Sequence, residues 1–218
     1  MKKRFVLLLA ILISSYTYSQ ESGEVKKLLD EVSSKMGAYT NMQLSFSTSL
    51  VNTEAGLNEN DEPPIYGEII LQGEKYNLDY LGNTFIYDGK KLYVINHDEK
   101  EIIVNEGDLN EDDGFIYPSK LLTFYKEGYT YKMGKLVTIK GRRIQCVELT
   151  PIDSNSEIIK VNLGVDSKTK HIYQLIQTGA NGAKTTLTIN KFKSNQEISS
   201  LLFSFDKKKY EKLDYLID

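Results

Sequence analysis

Tyr66-Gly67-Glu68-Ile69-Ile70-Leu71-Gln72, then Lys75-Tyr76-Asn77-Leu78-Asp79-Tyr80, then the turn Asp88-Gly89 stand in close succession, and a short apolar run with Leu121, Leu122, Phe124 and Tyr125 follows. Ile69 and Leu71 with Leu78 and Tyr80 read as an apolar strand pair, because alternate residues of a strand share one face. Asp-Gly readily supplies the positive backbone angles of a tight hairpin. The later run has Pro118 and Ser119 at its start and Gly128 at its end. That leaves about two helical turns, well short of the roughly 12 residues an isolated helix needs in water. This helix must lean on a partner, which is either the sheet, as a plug for one end, or an apolar molecule held beneath it.

Strand signals extend in both directions from this stretch. Met42, Leu44, Phe46 and Leu50 alternate with Gln43, Ser45, Ser47 and Ser49, the period-2 pattern of a sheet with one wet face. An acidic loop runs from Asn52 to Pro64, and further turns fall at Asn181-Gly182 and, more weakly, at Asp166 to Thr169. About ten or eleven strands result, running with their turns from Gln43 to Phe205. Ahead of them, Val25, Leu28, Leu29, Val32 and Met36 recur at helical spacing, with Ser22 as a cap and Gly37 as a stop. The stripe must cover the sheet. The expected class is mainly β with some α, in one domain, since no repeat or low-complexity segment divides the chain.

The N-terminus carries an address. Lys2, Lys3 and Arg4 precede an apolar run from Phe5 to Ile13, and Thr17 and Ser19 stand at −3 and −1 of a cleavage before Gln20. Residues 1–19 are therefore expected to be a secretory signal peptide and residues 20–218 the exported domain. The apolar run is shorter than the roughly 20 residues that span a bilayer. A lipid-anchored export would keep a cysteine at the cleavage point, whereas the sole cysteine is Cys146. One cysteine also excludes an internal disulfide framework. Loss of Lys2, Lys3 and Arg4 takes the formal net charge from −3 to −6. Such an acidic product has no electrostatic footprint for nucleic acid.

Chemical motifs are sparse. His97 beside Asp98 and His171 after Lys170 have no motif partner and read as solvated turn or strand-end residues. Asp108-x-Asn110-x-Asp112 begins like a calcium loop but fails, because Gly114 comes one position late and Ser119 replaces the bidentate Glu. There is no phosphate loop, H-E-x-x-H or paired thiol, and Cys146 reads as an inert buried thiol in a strand. The run Lys207-Lys208-Lys209 reads as wet surface. No enzyme, cofactor or metal is expected.

Several segments in order resemble the LolA family of periplasmic lipoprotein carriers. They are Leu29-Asp30-x-Val32-Ser33-Ser34, Gly67-Glu68, Asp88-Gly89-Lys90-x-Leu92-Tyr93, Pro118-Ser119-Lys120-Leu121-Leu122, Glu148-Leu149-Thr150-Pro151 and Phe203-x-Phe205. The resemblance implies an open antiparallel half-barrel of about eleven strands with a helical lid. Acyl chains of lipoproteins would lie between sheet and lid. On the sheet side they would meet Leu44, Phe46, Ile69, Leu71 and Leu92, with Leu78 and Tyr80 at the family's Phe-x-Trp pair. Leu29 and Val32 of the first helix and Leu121, Leu122, Phe124 and Tyr125 of the lid would close over them.

The family's function would make this a monomeric carrier in the periplasm, taking acylated lipoproteins from an inner-membrane lipoprotein-releasing transporter to the outer membrane. The acceptor there stays unassigned. One departure is plain: the family's Lys-Arg-Pro latch is replaced by Gln72-Gly73-Glu74 with Lys75 nearby, and the chain has no Trp. Two rivals stand beside the carrier. One is a lipid- or lipoprotein-binding periplasmic sensor on the same half-barrel, and the other is a secreted hydrolase, disfavoured because no nucleophile and base stand out.

Processing gives a direct check. N-terminal sequencing of the exported protein is expected to begin at or near Gln20, and labelled palmitate is expected to leave Cys146 unmodified. A labelled product in washed membranes with its N-terminus intact would overturn both expectations.

Overall fold

The computed structural model describes residues 23–59, 61–107 and 123–218. The expected signal peptide, Ser22, the calcium-like run from Asp108, and Leu121 and Leu122 lie outside them. Helix α1 spans 23–37, and its stripe of Val25, Leu28, Leu29, Val32 and Met36 is buried as the spacing predicts. Gly37 does not act as a left-handed stop. The helix instead ends with Ala38 N–H donating to the Ser34 carbonyl (3.2 Å) and Tyr39 N–H to that of Met36 (3.3 Å), which tightens the last turn.

Twelve strands follow among the described residues: β1 Met42–Val51, β2 Ile65–Gln72, β3 Lys75–Tyr80, β4 Asn83–Tyr87, β5 Lys91–Asn96, β6 Glu101–Glu106, β7 Tyr129–Ile139, β8 Arg142–Pro151, β9 Ile158–Asp166, β10 Ile172–Gly179, β11 Lys184–Ser194 and β12 Leu216–Ile217. They form one sheet in the order β12-β6-β5-β4-β3-β2-β1-β11-β10-β9-β8-β7. The two ends do not meet, so the sheet is an open half-barrel. Two meanders, β2 to β6 and β7 to β11, are joined through β1, which pairs antiparallel with both β2 and β11. The twelfth strand is the addition to the expected count. It is a two-residue piece that pairs parallel with β6 and covers that edge.

Register explains the two faces. Inward rows run Met42–Leu71–Tyr76–Tyr87–Leu92 and Leu44–Ile69–Leu78–Phe85–Val94 on one side of β1. On the other side runs Thr48–Leu187–Leu175–Leu163–Val147–Met133. With α1 these residues make the main core. The outward face carries Ser45, Ser47, Thr186, Thr188 and Gln174, with Gln174 donating to the Thr188 hydroxyl at 3.0 Å.

The strand reading to Phe205 is corrected beyond Ser194. There the chain leaves the sheet as a 3-10 turn, Ser200–Phe203, and a short helix, α2 Lys207–Glu211, capped by the Asp206 side chain on Lys209 N–H (3.1 Å). This segment wraps the outer face of β3 to β6. Ile86, Ile95 and Ile102 bury against Tyr210 there, and Phe205 stacks on Tyr93 at 4.5 Å.

Gly67 shows how tight the inner face is. A Cβ at this position would stand 2.9 Å from Phe46 Cε1, because the Phe46 ring lies across the Gly67 backbone toward Tyr80, 5.6 Å away. Gly67→Ala is expected to destabilise the protein by about 1–3 kcal/mol. Pairing it with Phe46→Leu should recover part of the loss, read by urea unfolding.

Candidate functional site

The described sheet and helix residues expected to line a lipid site all sit together. Leu29, Val32, Leu44, Phe46, Ile69, Leu71, Leu78, Leu92 and Tyr125 belong to one buried cluster, with Tyr80 and Phe124 packed half-buried against it. Strand alternation accounts for the sheet members and the helical stripe for the others. Between α1 and β1 the cluster is closed by side chains of the protein itself.

The cover is uneven. Over β3 to β6 the inward residues Tyr80, Phe85, Tyr87 and Val94 are only half-buried, and Ile103, in the same row as Leu78, Phe85 and Val94, is 46% exposed. This apolar shelf is continuous with the core beneath α1. Phe85, Val94 and Ile103 were not among the expected lining residues. Their signal was available, since the Asp88-Gly89 hairpin sets Phe85 opposite Val94 once the turn is counted.

Among the described residues, the far side of the cover is a 3-10 turn, Phe124–Lys126, which is the described part of the expected lid helix. Phe124 meets Tyr129 edge-on at 5.8 Å. Tyr125 is 1% exposed, and its hydroxyl is enclosed without a hydrogen bond of good geometry. The Ser33 hydroxyl and the Asp30 carboxylate on α1 are the polar groups around it. Burial pushes the phenol pKa up to about 12, so it stays neutral while an unfolded tyrosine would ionise near 10.

The expected latch position is a hairpin. Gly73 takes φ +60° in the two-residue turn joining β2 to β3, and Gln72 pairs with Lys75 across it. Lys75 is exposed, with its stem beside Gly89.

His171 departs from the expected solvated role. It lies half-buried, stacked on Phe192 at 3.9 Å between ring centres, and its Nε2 is 2.8 Å from the Tyr39 hydroxyl. Burial, then Lys35, lowers its pKa, with Asp166 opposing. Together with the Lys170–Glu31 pair (2.9 Å), this contact ties the end of α1 to the sheet. His97 sits in the expected turn and binds the Tyr215 hydroxyl at 3.0 Å, holding the C-terminal segment. Cys146, expected to be buried, is only half-buried on the outward face, its pKa raised by burial and then by Glu148. Among the described residues no three His, Cys, Asp or Glu side chains converge as a metal site.

The model of the outer membrane lipoprotein carrier protein LolA matches residues 79–206, more than half of the chain. The chain belongs to the LolA family. No curated protein sequence matches it. Among solved structures, an uncharacterized conserved protein from Thermus thermophilus is similar at 9% identity and a TM-score of 0.59, over 89% of this chain and 98% of that one. A LolA superfamily protein from Nitrosomonas europaea is similar at 12% identity and a TM-score of 0.44, over 83% and 97%. A putative outer membrane lipoprotein-sorting protein domain from Vibrio parahaemolyticus gives 11% and 0.48, over 85% and 97%. At 9% identity the likeness to the Thermus thermophilus protein shows a shared fold alone. No helix among the described residues is long and apolar enough to cross a membrane.

The enclosed phenol yields a signed pH expectation. A folded-state pKa raised above the unfolded value means stability is fully present below pH 10 and is lost as the pH rises toward about 12. Tyr125→Phe should flatten that alkaline loss. It should also raise stability near neutral pH by roughly 1 kcal/mol, since a buried hydroxyl without a partner is removed, measured by denaturant midpoints across pH 7 to about 12.

Proposed function

We propose that this protein is a periplasmic carrier that binds the acyl chains of lipoproteins on its concave face and moves them from the inner to the outer membrane. The apolar shelf of Tyr80, Phe85, Val94 and Ile103, continuous with the core under α1, carries this reading. A core that ends in an uncovered apolar ledge offers a chain a place to start and a path inward. Membership of the LolA family supports the same class of cargo. On this reading the partners are acylated lipoproteins, a lipoprotein-releasing transporter in the inner membrane and an acceptor at the outer membrane.

Energetics favour shallow binding over deep burial. Fully burying a 16-carbon chain at about 0.8 kcal/mol per methylene would yield roughly 12 kcal/mol, and several chains more. Cargo held so tightly would not leave. Here a chain passing beneath α1 must displace Leu29, Val32, Leu44 and Phe46 from one another, so part of that gain is offset by lost packing.

Tyr80 is the residue at which to test the site, being half-buried on the ledge and on a strand that stays paired on both sides. Tyr80→Glu places a carboxylate against the alkyl chain, where it would be desolvated without a partner. The expected result is a loss of lipopeptide affinity of about tenfold or more, with thermal unfolding still cooperative. Unchanged affinity in the folded variant would remove the ledge from the site.

A further inference from the structure

The inward face is not apolar from end to end. Toward the Met42 end of β1 its rows are hydrocarbon and aromatic, while toward the Val51 end polar side chains enter. Thr48 is buried and its hydroxyl lies 2.6 Å from that of Tyr80. One row further, Leu50 pairs with Thr185, Thr185 with Gln177, and Gln177 with Val161. Alternation puts Gln177 on the same face as Leu175, because Gln174 and Ile176 line the outward groove.

Gln177 is the anomaly of the group. It is 8% exposed, and its carboxamide makes no hydrogen bond among the described residues. A primary amide offers two donors and an acceptor, and here they have no protein partner among the described residues and keep an edge open to solvent, free to bond a ligand. Leucine at this place would continue the row of Leu175 and Leu163 but would offer a ligand no hydrogen bond. Thr48 is the diagonal neighbour of Thr185 across the β1–β11 ladder, a relation that usually leaves side chains roughly 7–8 Å apart.

We propose that Gln177 and Thr185, with the Thr48–Tyr80 hydroxyl pair beside them, form a hydrogen-bonding band that receives the carbonyl linkages of an acylated cargo. Ester and amide carbonyls accept from the Gln177 amide and the Thr185 hydroxyl, and an N-acyl N–H donates to the Gln177 oxygen. The alkyl chains then run from this band toward the Met42–Leu71 end and onto the ledge of Phe85 and Val94. The linkage is thereby oriented to the rim where Leu50, Ile65, Tyr66 and Leu81 are exposed, leaving the rest of the cargo outside. This assignment rests on the acyl-carrier reading above and adds the direction in which the cargo lies.

The test uses Gln177→Leu and Thr185→Val in the exported protein with three probes: a synthetic triacylated lipopeptide, a diacyl phospholipid, and a fluorescent alkane without any carbonyl. Gln177→Leu is expected to fold with little change in thermal stability, because the amide it removes bonds no other side chain among the described residues. It should lose about tenfold in affinity for a carbonyl-bearing probe and nothing for the alkane. Loss for the lipopeptide alone assigns the band to N-acylated cargo, and loss for both acyl probes assigns it to ester carbonyls in general. Equal affinities in both variants and the parent protein for all probes would overturn the band while leaving the carrier reading intact. A parent protein that binds none of the three would overturn both.

Discussion

Everything in this molecule hangs on β1 being hydrogen-bonded along both edges. Its ladder with β11 runs from Met42–Ser194 to Val51–Lys184, and its ladder with β2 from Met42–Leu71 to Thr48–Ile65. Among the described residues no other strand links the two meanders. Its sequence is fitted to that central place: Met42, Leu44, Phe46 and Thr48 face inward while Ser45, Ser47 and Ser49 face out, so one strand serves a dry interior and a wet exterior at once. The bulge between Ser45 and Phe46 on the β11 side adds local twist at the middle of the sheet.

A twelve-stranded open sheet has more apolar surface than one helix can hide, and the chain divides the work. Helix α1 covers the inner rows around β1 and the β8 to β10 side, clasped at its end by Tyr39, His171 and Phe192. The C-terminal segment builds a second, separate cluster on the outside of β4 to β6, where Tyr210, Phe205 and Tyr215 bury Ile86, Ile95 and Ile102. Covering the outside of those strands while their inside is left half-open means the ledge can be uncovered without the strands losing their support. On the proposed carrier reading the ledge would need that separation to exchange cargo, because local opening must cost less than global unfolding.

Much of this was legible in residue order. Period-2 alternation in β1, the hairpin at Asp88-Gly89 and the stripe of α1 depend on local chemistry, and each appears where the pattern puts it. The C-terminal wrap was not legible, because Lys207-Lys208-Lys209 looks solvated and is solvated; what fixes the segment is Tyr210 and Phe205 meeting aromatic and aliphatic partners more than a hundred residues away. His171 escaped for the same reason, since its ring is buried by Phe192 and Tyr39 through tertiary contact alone. On the ledge, Phe85 and Val94 were readable by register, whereas the exposure of Ile103 follows from where α1 stops covering the sheet and has no local signature.

The inner face therefore carries two competing demands. Its hydrocarbon rows pack against α1, so on the proposed carrier reading an incoming chain would compete with side chains that already satisfy one another, and only the difference would appear as affinity. That competition weakens retention without weakening selection. On the carrier reading, selection would need groups whose bonding is incomplete until cargo arrives. Among the described residues the Gln177 carboxamide on the face has no protein partner, and the Tyr125 hydroxyl at the cover is enclosed without one. A side chain that costs stability when empty and returns it on binding shifts free energy from folding to recognition. On that reading hydrocarbon would supply affinity that is partly cancelled by the native core, and such residues are where discrimination between acyl cargo and plain hydrocarbon would have to come from.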